Sequence, residues 1–265
     1  MREWSDGPVR VLVGRLEDRL QELGPASIDA VVTDPPYGDG EAAWDRTSVE
    51  FHEAWLAAVL PLLKPGAPIL AFVSRRHGWQ LYAAADRLGV ATRGQLVWVH
   101  RQGFSPNPGH PRIEHEPVVW LGGDLRPGAE EVRRQRSYWT PHPIVRRNSS
   151  TRGFREWVYR PHQAGPLGGT VFEAARNDVS EKAAGSAVRT AQKPLGVMTY
   201  FVALACGPGG VVLDPYCGTG ATLAAARRLG LSAIGVDQDP DVLPLIQRRV
   251  SAAALPLLEA LEAST

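Results

Sequence analysis

Cysteine is scarce in this 265-residue chain, which carries only Cys206 and Cys217. Two thiols make no disulfide framework, and no Cys/His group has zinc-ligand spacing, so neither a stapled mini-protein nor a metal site is expected. Lysine is almost as rare, with Lys64, Lys182 and Lys193 the full set. Long apolar runs are missing: nothing approaches the roughly 18 residues of a membrane span, and the opening MREWSDGPVR has no apolar signal core. A cytoplasmic protein with no membrane partner is expected. Charge of one sign is also missing, the net being +1, so no global field points to a polyanion or a lipid surface.

What is present is a 44% hydrophobic composition, enough for a sizeable core. Its patterning alternates. VRVLV (9–13) reads as a buried strand. RLEDRLQEL follows with Leu16, Leu20 and Leu23 at helical spacing and stops at Gly24-Pro25. IDAVVT is the next strand and delivers the chain to Asp34. VEFHEAWLAAVLPLLKPG is helical in period, Ile69–Val73 a strand, GWQLYAAADRLG a helix and QLVWVH a strand. From residue 192 the alternation resumes, with PLGVMTYFVALAC, VVLD, ATLAAARRLG, SAIGVD and DVLPLIQRRV reading helix, strand, helix, strand, helix. Such alternation predicts an α/β fold with a mostly parallel sheet and helices on both faces.

Between these halves the texture changes. GFSPNPGHPR is turn chemistry, EPVVWLGG a brief strand, and the stretch after it is polar and rich in Pro and Gly. Residues 101–160 hold eleven Arg and no Lys against six acids, with seven Phe, Tyr and Trp. A basic, aromatic segment is one form a nucleic-acid surface takes. A general compositional preference for Arg is the plainer account of the same residues.

Three short stretches carry chemistry. In VVLDPYCGTGATLAAARRLGLSAIGVDQD a strand ends at Asp214, Gly218 and Gly220 open a turn, and a helix starts near Ala221. Glycines let backbone approach a ligand, and the N–H groups of a helix start attract polar or anionic atoms. Asp237, at the end of the following strand, is placed to accept from both hydroxyls of a ribose. The pattern is neither Gly-x-Gly-x-x-Gly nor a Walker loop, which ranks S-adenosylmethionine above nicotinamide or nucleoside triphosphate cofactors. The second stretch is DPPY, Asp34 to Tyr37. Its prolines have no N–H and fixed φ, so their carbonyls face outward beside the Asp34 acceptor. An exocyclic amine there would donate to Asp34 and to a proline carbonyl, with Tyr37 stacked on the base. Taken alone, the same four residues also suit a simple proline turn. The third is Lys193, just ahead of a proline-started helix, which suits a ligand carboxylate or an ordinary surface position.

Together SIDAVVTDPPYG, LLKPGAPILAF, HEPVVW, QKP and LDPYCGTGAT…AIGVDQD, in that order, resemble the β class of DNA amino-methyltransferases. The resemblance spans about residues 9–122 and 190–250. It implies a Rossmann-like methyltransferase domain built from 1–122 and 190–265, interrupted by a target recognition insert at 123–189. It implies that Asp34, Pro35, Pro36 and Tyr37 hold the target amine. Asp214, Cys217, Gly218, Thr219 and Gly220 would line the methionine part of S-adenosylmethionine, Asp237 would bind its ribose, Lys193 would sit near its carboxylate and Asp29 close to its pocket. Arg133, Arg134, Arg146 and Arg147 in the insert would contact double-stranded DNA. The implied reaction is direct methyl transfer to adenine N6, with cytosine N4 as the alternative and a non-catalytic DNA-binding subunit as a third reading. A homodimer is a further expectation of the class.

Overall fold

Ala30–Thr33 and Pro68–Phe72 are buried at every position, as strands covered by helices on both faces must be. Along them the side chains alternate between two cores. Ala30, Val32, Leu70 and Phe72 belong to one, Val31, Ile69 and Ala71 to the other. This period of two is the strand pleat itself.

The computed structural model describes residues 2–40, 45–104, 109, 111, 113–125, 144–150, 153–159, 171–173 and 192–253, with residue 2, 101–104, 144–150, 153–159 and 171–173 described in backbone only. In chain order the elements are β1 (Arg2–Asp6), β2 (Val9–Val13), α1 (Leu16–Leu20), β3 (Ala30–Thr33), α2 (Val49–Val59), β4 (Pro68–Phe72), α3 (Trp79–Arg87), β5 (Thr92–Phe104) and β6 (Ile113–Gly122). There follow β7 (Ile144–Ser150), β8 (Gly153–Tyr159), β9 (Val171–Glu173), α4 (Leu195–Ala205), β10 (Val211–Asp214), α5 (Ala221–Arg228), β11 (Ser232–Asp237) and α6 (Leu243–Ala253).

Nine strands form one sheet in the order β1-β2-β11-β10-β3-β4-β6-β5-β9. Strands β2, β11, β10, β3 and β4 run parallel, while β1 and β6 run against their neighbours, so the sheet is mixed. Helices α4, α5 and α6 cover one face through Phe201, Leu223 and Ile246. Helices α1, α2 and α3 cover the other through Leu20, Trp55 and Leu81. A separate antiparallel pair joins β7 to β8.

Three departures from the sequence reading have local causes. Helix α2 stops at Val59 and tightens into a 3₁₀ turn over Leu60–Leu62, because Pro61 has no N–H to extend the ladder. Strand β1 was not foreseen: its polar REWSD carries no apolar run and is held by pairing with β2. The short strand expected around EPVVW is the centre of the ten-residue β6, wedged between β4 and β5.

Candidate active site

The parallel strands deliver their carboxyl ends to one sheet edge. Asp214 closes β10, Asp237 closes β11, and Asp34 directly follows β3. From β10 the chain crosses through α5 to β11 on one face, while from β3 it crosses through α2 to β4 on the other. The crevice between β10 and β3 is therefore a topological switch point, where open α/β sheets bind ligands. A cavity of about 780 Å³ lies there and is lined by Asp34–Tyr37, Lys193, Asp214, Cys217–Thr219 and Asp237. Its size suits an extended ligand of nucleoside dimensions.

The glycine loop is fixed from below. Asp214 Oδ1 accepts from Thr33 Oγ1 at 2.7 Å and from Tyr216 N at 3.1 Å, and Oδ2 accepts from Thr222 Oγ1 at 2.5 Å. Burial nonetheless dominates, and its carboxyl is pushed up to about 6. Gly218 and Gly220 have φ of +48° and +80°, the left-handed region that favours glycine. Gly218 N donates to Asp237 Oδ2 at 2.9 Å, and Asp239 N donates to Oδ1 at 2.9 Å. The acid that closes β11 thus ties the loop to the next turn. Cys217 is buried against Gly235. Burial, with Asp237 and Asp214 adding to it, raises its thiol well above the usual range, so it carries no thiolate chemistry.

At the other end of the cavity Lys193 Nζ lies 2.7 Å from Asp34 Oδ2 and 3.3 Å from Glu116 Oε2. The ammonium also sits 5.1 Å from the ring centroids of Tyr37 and Phe72, within cation–π range. Asp34 Oδ1 is buried and accepts no hydrogen bond among the described residues. An acceptor left this way is costly unless a ligand donor meets it. Burial raises the Asp34 carboxyl above its ordinary value, and the Lys193 charge only partly offsets this. For Lys193 burial disfavours the ammonium, but Asp34 and Glu116 outweigh it and hold the group above its ordinary value. The Tyr37 hydroxyl points to Glu116 at 3.5 Å. Burial, then the Asp34 and Glu116 charges, keep it far from ionising.

Three contributors were not singled out in the sequence. Glu116 stands in the quoted HEPVVW, where an acid inside an apolar strand was the available signal. Asp45 is buried and receives Tyr37 N and Gly38 N on Oδ1 at 2.7 Å each, and Gly40 N on Oδ2 at 2.9 Å. It fixes the loop that follows the prolines. Arg249 on α6 donates to Thr219 Oγ1 at 2.9 Å and to the Lys193 carbonyl at 2.8 Å, joining the glycine loop to the Gln192-Lys193 segment. Neither Asp45 nor Arg249 has a local sequence cue.

A family model described as DNA methylase, of the N6/N4 methyltransferase type, matches residues 28–248. The chain belongs to the N6/N4 DNA methylase family. Among curated proteins this DNA methylase is 24% identical over 250 residues to the type II methyltransferase M.HpaI of Haemophilus parainfluenzae, covering 91% of this chain and 74% of that one. Its fold matches the cytosine-N4-specific PvuII DNA methyltransferase at a TM-score of 0.65 and 13% identity, over 91% of this chain and 86% of that one. It also matches a putative DNA modification methylase of Thermus thermophilus, TTHA0409, solved with S-adenosyl-L-methionine, at a TM-score of 0.60 and 21% identity, over 92% and 94% of the two chains.

Within the DNA methylase some expected residues lie elsewhere. Asp29 is not at the cavity. It precedes β3 at the amino edge, where Lys64 Nζ donates to it at 2.7 and 2.8 Å and Val211 N at 2.8 Å. The four-residue strand between Asp29 and Asp34 separates them by about 16 Å. Lys193, expected beside a cofactor carboxylate, pairs instead with the carboxylates of Asp34 and Glu116. Gly220, the N-cap of α5, is not itself among the residues lining the cavity, and the side where a Cβ would stand faces Ile246. Arg133 and Arg134 fall outside the described residues, and Arg146 and Arg147 lie on β7, described in backbone only. Among the described residues no His, Cys, Asp and Glu cluster has the makings of a metal site, and no helix is long and apolar enough to cross a membrane.

Proposed function

We propose that this DNA methylase transfers a methyl group from S-adenosylmethionine to N6 of an adenine turned out of double-stranded DNA. The observation that carries the reading is Asp34 Oδ1, a buried acceptor with no donor among the described residues, in the same cavity as the glycine loop and Asp237. The residues present fit the cofactor. Gly218 leaves open space where a side chain would stand, and Asp237 ends the strand next to the loop. When bound, the cofactor supplies an electrophilic sulfonium methyl.

The chain's own residues do the rest. Asp34 Oδ1 accepts one N–H of the target amine, and a proline carbonyl of Pro35 or Pro36 accepts the other. Two such bonds hold the nitrogen lone pair out of the ring plane and toward the methyl, so catalysis is alignment and polarisation without an enzyme nucleophile. Lys193 supports Asp34 as an ionised acceptor. Tyr37 stacks on the base. Adenine is favoured because aspartate in the first place of DPPY accompanies adenine more often than cytosine among the proteins this chain resembles.

In this reading the target recognition insert lies within residues 123–189, with Arg133, Arg134, Arg146 and Arg147 on DNA, and 1–122 with 190–265 form the methyltransferase domain, to whose sheet β9 (Val171–Glu173) of the intervening stretch adds an edge strand. Support comes from the arginine and aromatic content of the segment. In this reading the protein works in the cytoplasm as a homodimer and serves restriction-modification, and its similarity to a type II methyltransferase fits that role. Sedimentation velocity tests the dimer. Mass spectrometry of nucleosides from DNA incubated with the protein and S-adenosylmethionine tests the reaction. N6-methyladenine is expected; N4-methylcytosine would reassign the base, and no methylated nucleoside would refute the function.

A further inference from the structure

Strand β4 hands the chain to Ser74, Arg75, Arg76, His77, Gly78 and Trp79. Because β4 runs parallel beside β3, this segment emerges at the same sheet edge as Asp34, one strand away. Ser74 Oγ holds it to the loop after Tyr37, lying 2.9 and 3.1 Å from the two Asp39 carboxylate oxygens. Arg75 and Arg76 are exposed. Neither forms an ion pair with a carboxylate among the described residues, whereas Arg10, Arg15, Arg87, Arg93 and Arg227 each face an Asp or Glu. Arg75 Nη1 donates to the His115 carbonyl at 3.2 Å, a neutral acceptor that orients the guanidinium. Trp79 follows, 60% exposed, the large hydrophobic that stands most open among the described residues.

We propose that Arg75, Arg76 and Trp79 form a DNA-strand contact surface beside the mouth of the active site. The arginines meet phosphates flanking the target nucleotide, and the Trp79 indole stacks on the base face that the turned-out target uncovers. This rests on the DNA-methyltransferase reading above. Guanidinium groups bind phosphate oxygens in a matched fork, and among the described residues no carboxylate is paired with either arginine. An open indole next to them offers a stacking platform that any base can use. The surface lies outside 123–189. It therefore contributes affinity and register along the strand, with base reading left to other residues.

The test is fluorescence anisotropy of a labelled mixed-sequence duplex with the full chain, across a series of salt concentrations, alongside calorimetric binding of S-adenosylmethionine. The double variant Arg75→Ala/Arg76→Ala is expected to lower the slope of log affinity against log salt by about 2, and to weaken binding about tenfold at low salt. Trp79→Ala is expected to weaken binding about tenfold with the slope unchanged, and Trp79→Phe to restore most of the loss. All three should bind cofactor as the wild type does, which separates lost DNA contact from lost fold. Variants with wild-type affinity and slope would overturn the surface alone. Wild-type protein that bound no duplex would overturn the functional reading and this surface with it.

Discussion

Lys193 Nζ donates to Asp34 Oδ2 at 2.7 Å across 159 residues of chain. The pair joins the end of β3 to the start of α4, and Glu116 on β6 shares the same ammonium at 3.3 Å. One cation thus serves two carboxylates.

The pH dependence of turnover follows from that arrangement. Asp34 is faced by Lys193, Glu116, Tyr37 and Asp214, and His100 lies 3.9 Å from Glu116. Burial raises the Asp34 carboxyl and the Lys193 charge lowers it. Lys193→Met should therefore raise the Asp34 carboxyl further and move the acid limb of the kcat profile to higher pH. Glu116→Gln removes a charge that raises Asp34, so its acid limb should move to lower pH. Lys193→Arg should keep the wild-type profile more nearly than Lys193→Met does. Initial-rate profiles from acid to neutral pH check the signs, and limbs that stay fixed in both charge-removing variants would exclude the coupling.

Asp34→Ala should remove methyl transfer while leaving cofactor binding largely intact. Loss of a positioned polar group that acts on the reacting atoms lowers kcat by about a hundredfold or more. Single-turnover rates with calorimetric cofactor binding check both halves. Near wild-type turnover would remove Asp34 from the amine site.

The two loop glycines should respond differently to alanine. Gly218 has φ +48° and a Cβ there would meet nothing nearer than the Tyr216 carbonyl at 4.0 Å. Gly218→Ala should lose about 1–2 kcal/mol of stability from backbone strain and a larger share of cofactor affinity, since the added methyl stands in the cavity wall. Gly220 has φ +80° and its Cβ would lie 3.1 Å from Ile246. Gly220→Ala should therefore lose more stability than Gly218→Ala. Urea unfolding and cofactor titration of both variants give the comparison.

Asp214 contributes a stability that depends on pH. Its folded carboxyl stands at about 6 against an ordinary 3.8, raised mainly by burial. A carboxyl raised in the folded state stabilises fully below the ordinary value, and that contribution is lost as pH rises through about 6. Asp214→Asn lacks this dependence while keeping a side chain for Thr33 and Thr222. Relative to wild type the variant should gain as pH rises from about 4 to about 7, by about 2–3 kcal/mol. Urea unfolding without cofactor at the two ends of that range is the measurement. A constant difference would show that Asp214 titrates normally.

Much of the fold was legible because strands and helices of an α/β sheet are local patterns. The alternation around Val31 and Leu70 and the helical spacing of Leu16 and Leu20 appear within a few residues. DPPY and the glycine loop were legible for a related reason, since prolines and glycines restrict the backbone wherever they stand. Strand β1 was not legible, because REWSD is held by its partner and not by its own residues. Asp45 and Arg249 were hidden likewise, each defined by backbone groups it meets through folding.

The sequence by itself determined the alternating strands and helices of 9–100 and 194–250, their order and the identity of the groups that end β3, β10 and β11. The tertiary structure decided which of those groups meet. It brought Thr33 onto Asp214 across 181 residues at 2.7 Å and Lys193 onto Asp34. It also sent Asp29, five residues before Asp34, to the opposite edge of the sheet. The reason is physical: a motif fixes local backbone and chemistry, whereas the partner of a buried charge is set by strand order, which no local stretch contains.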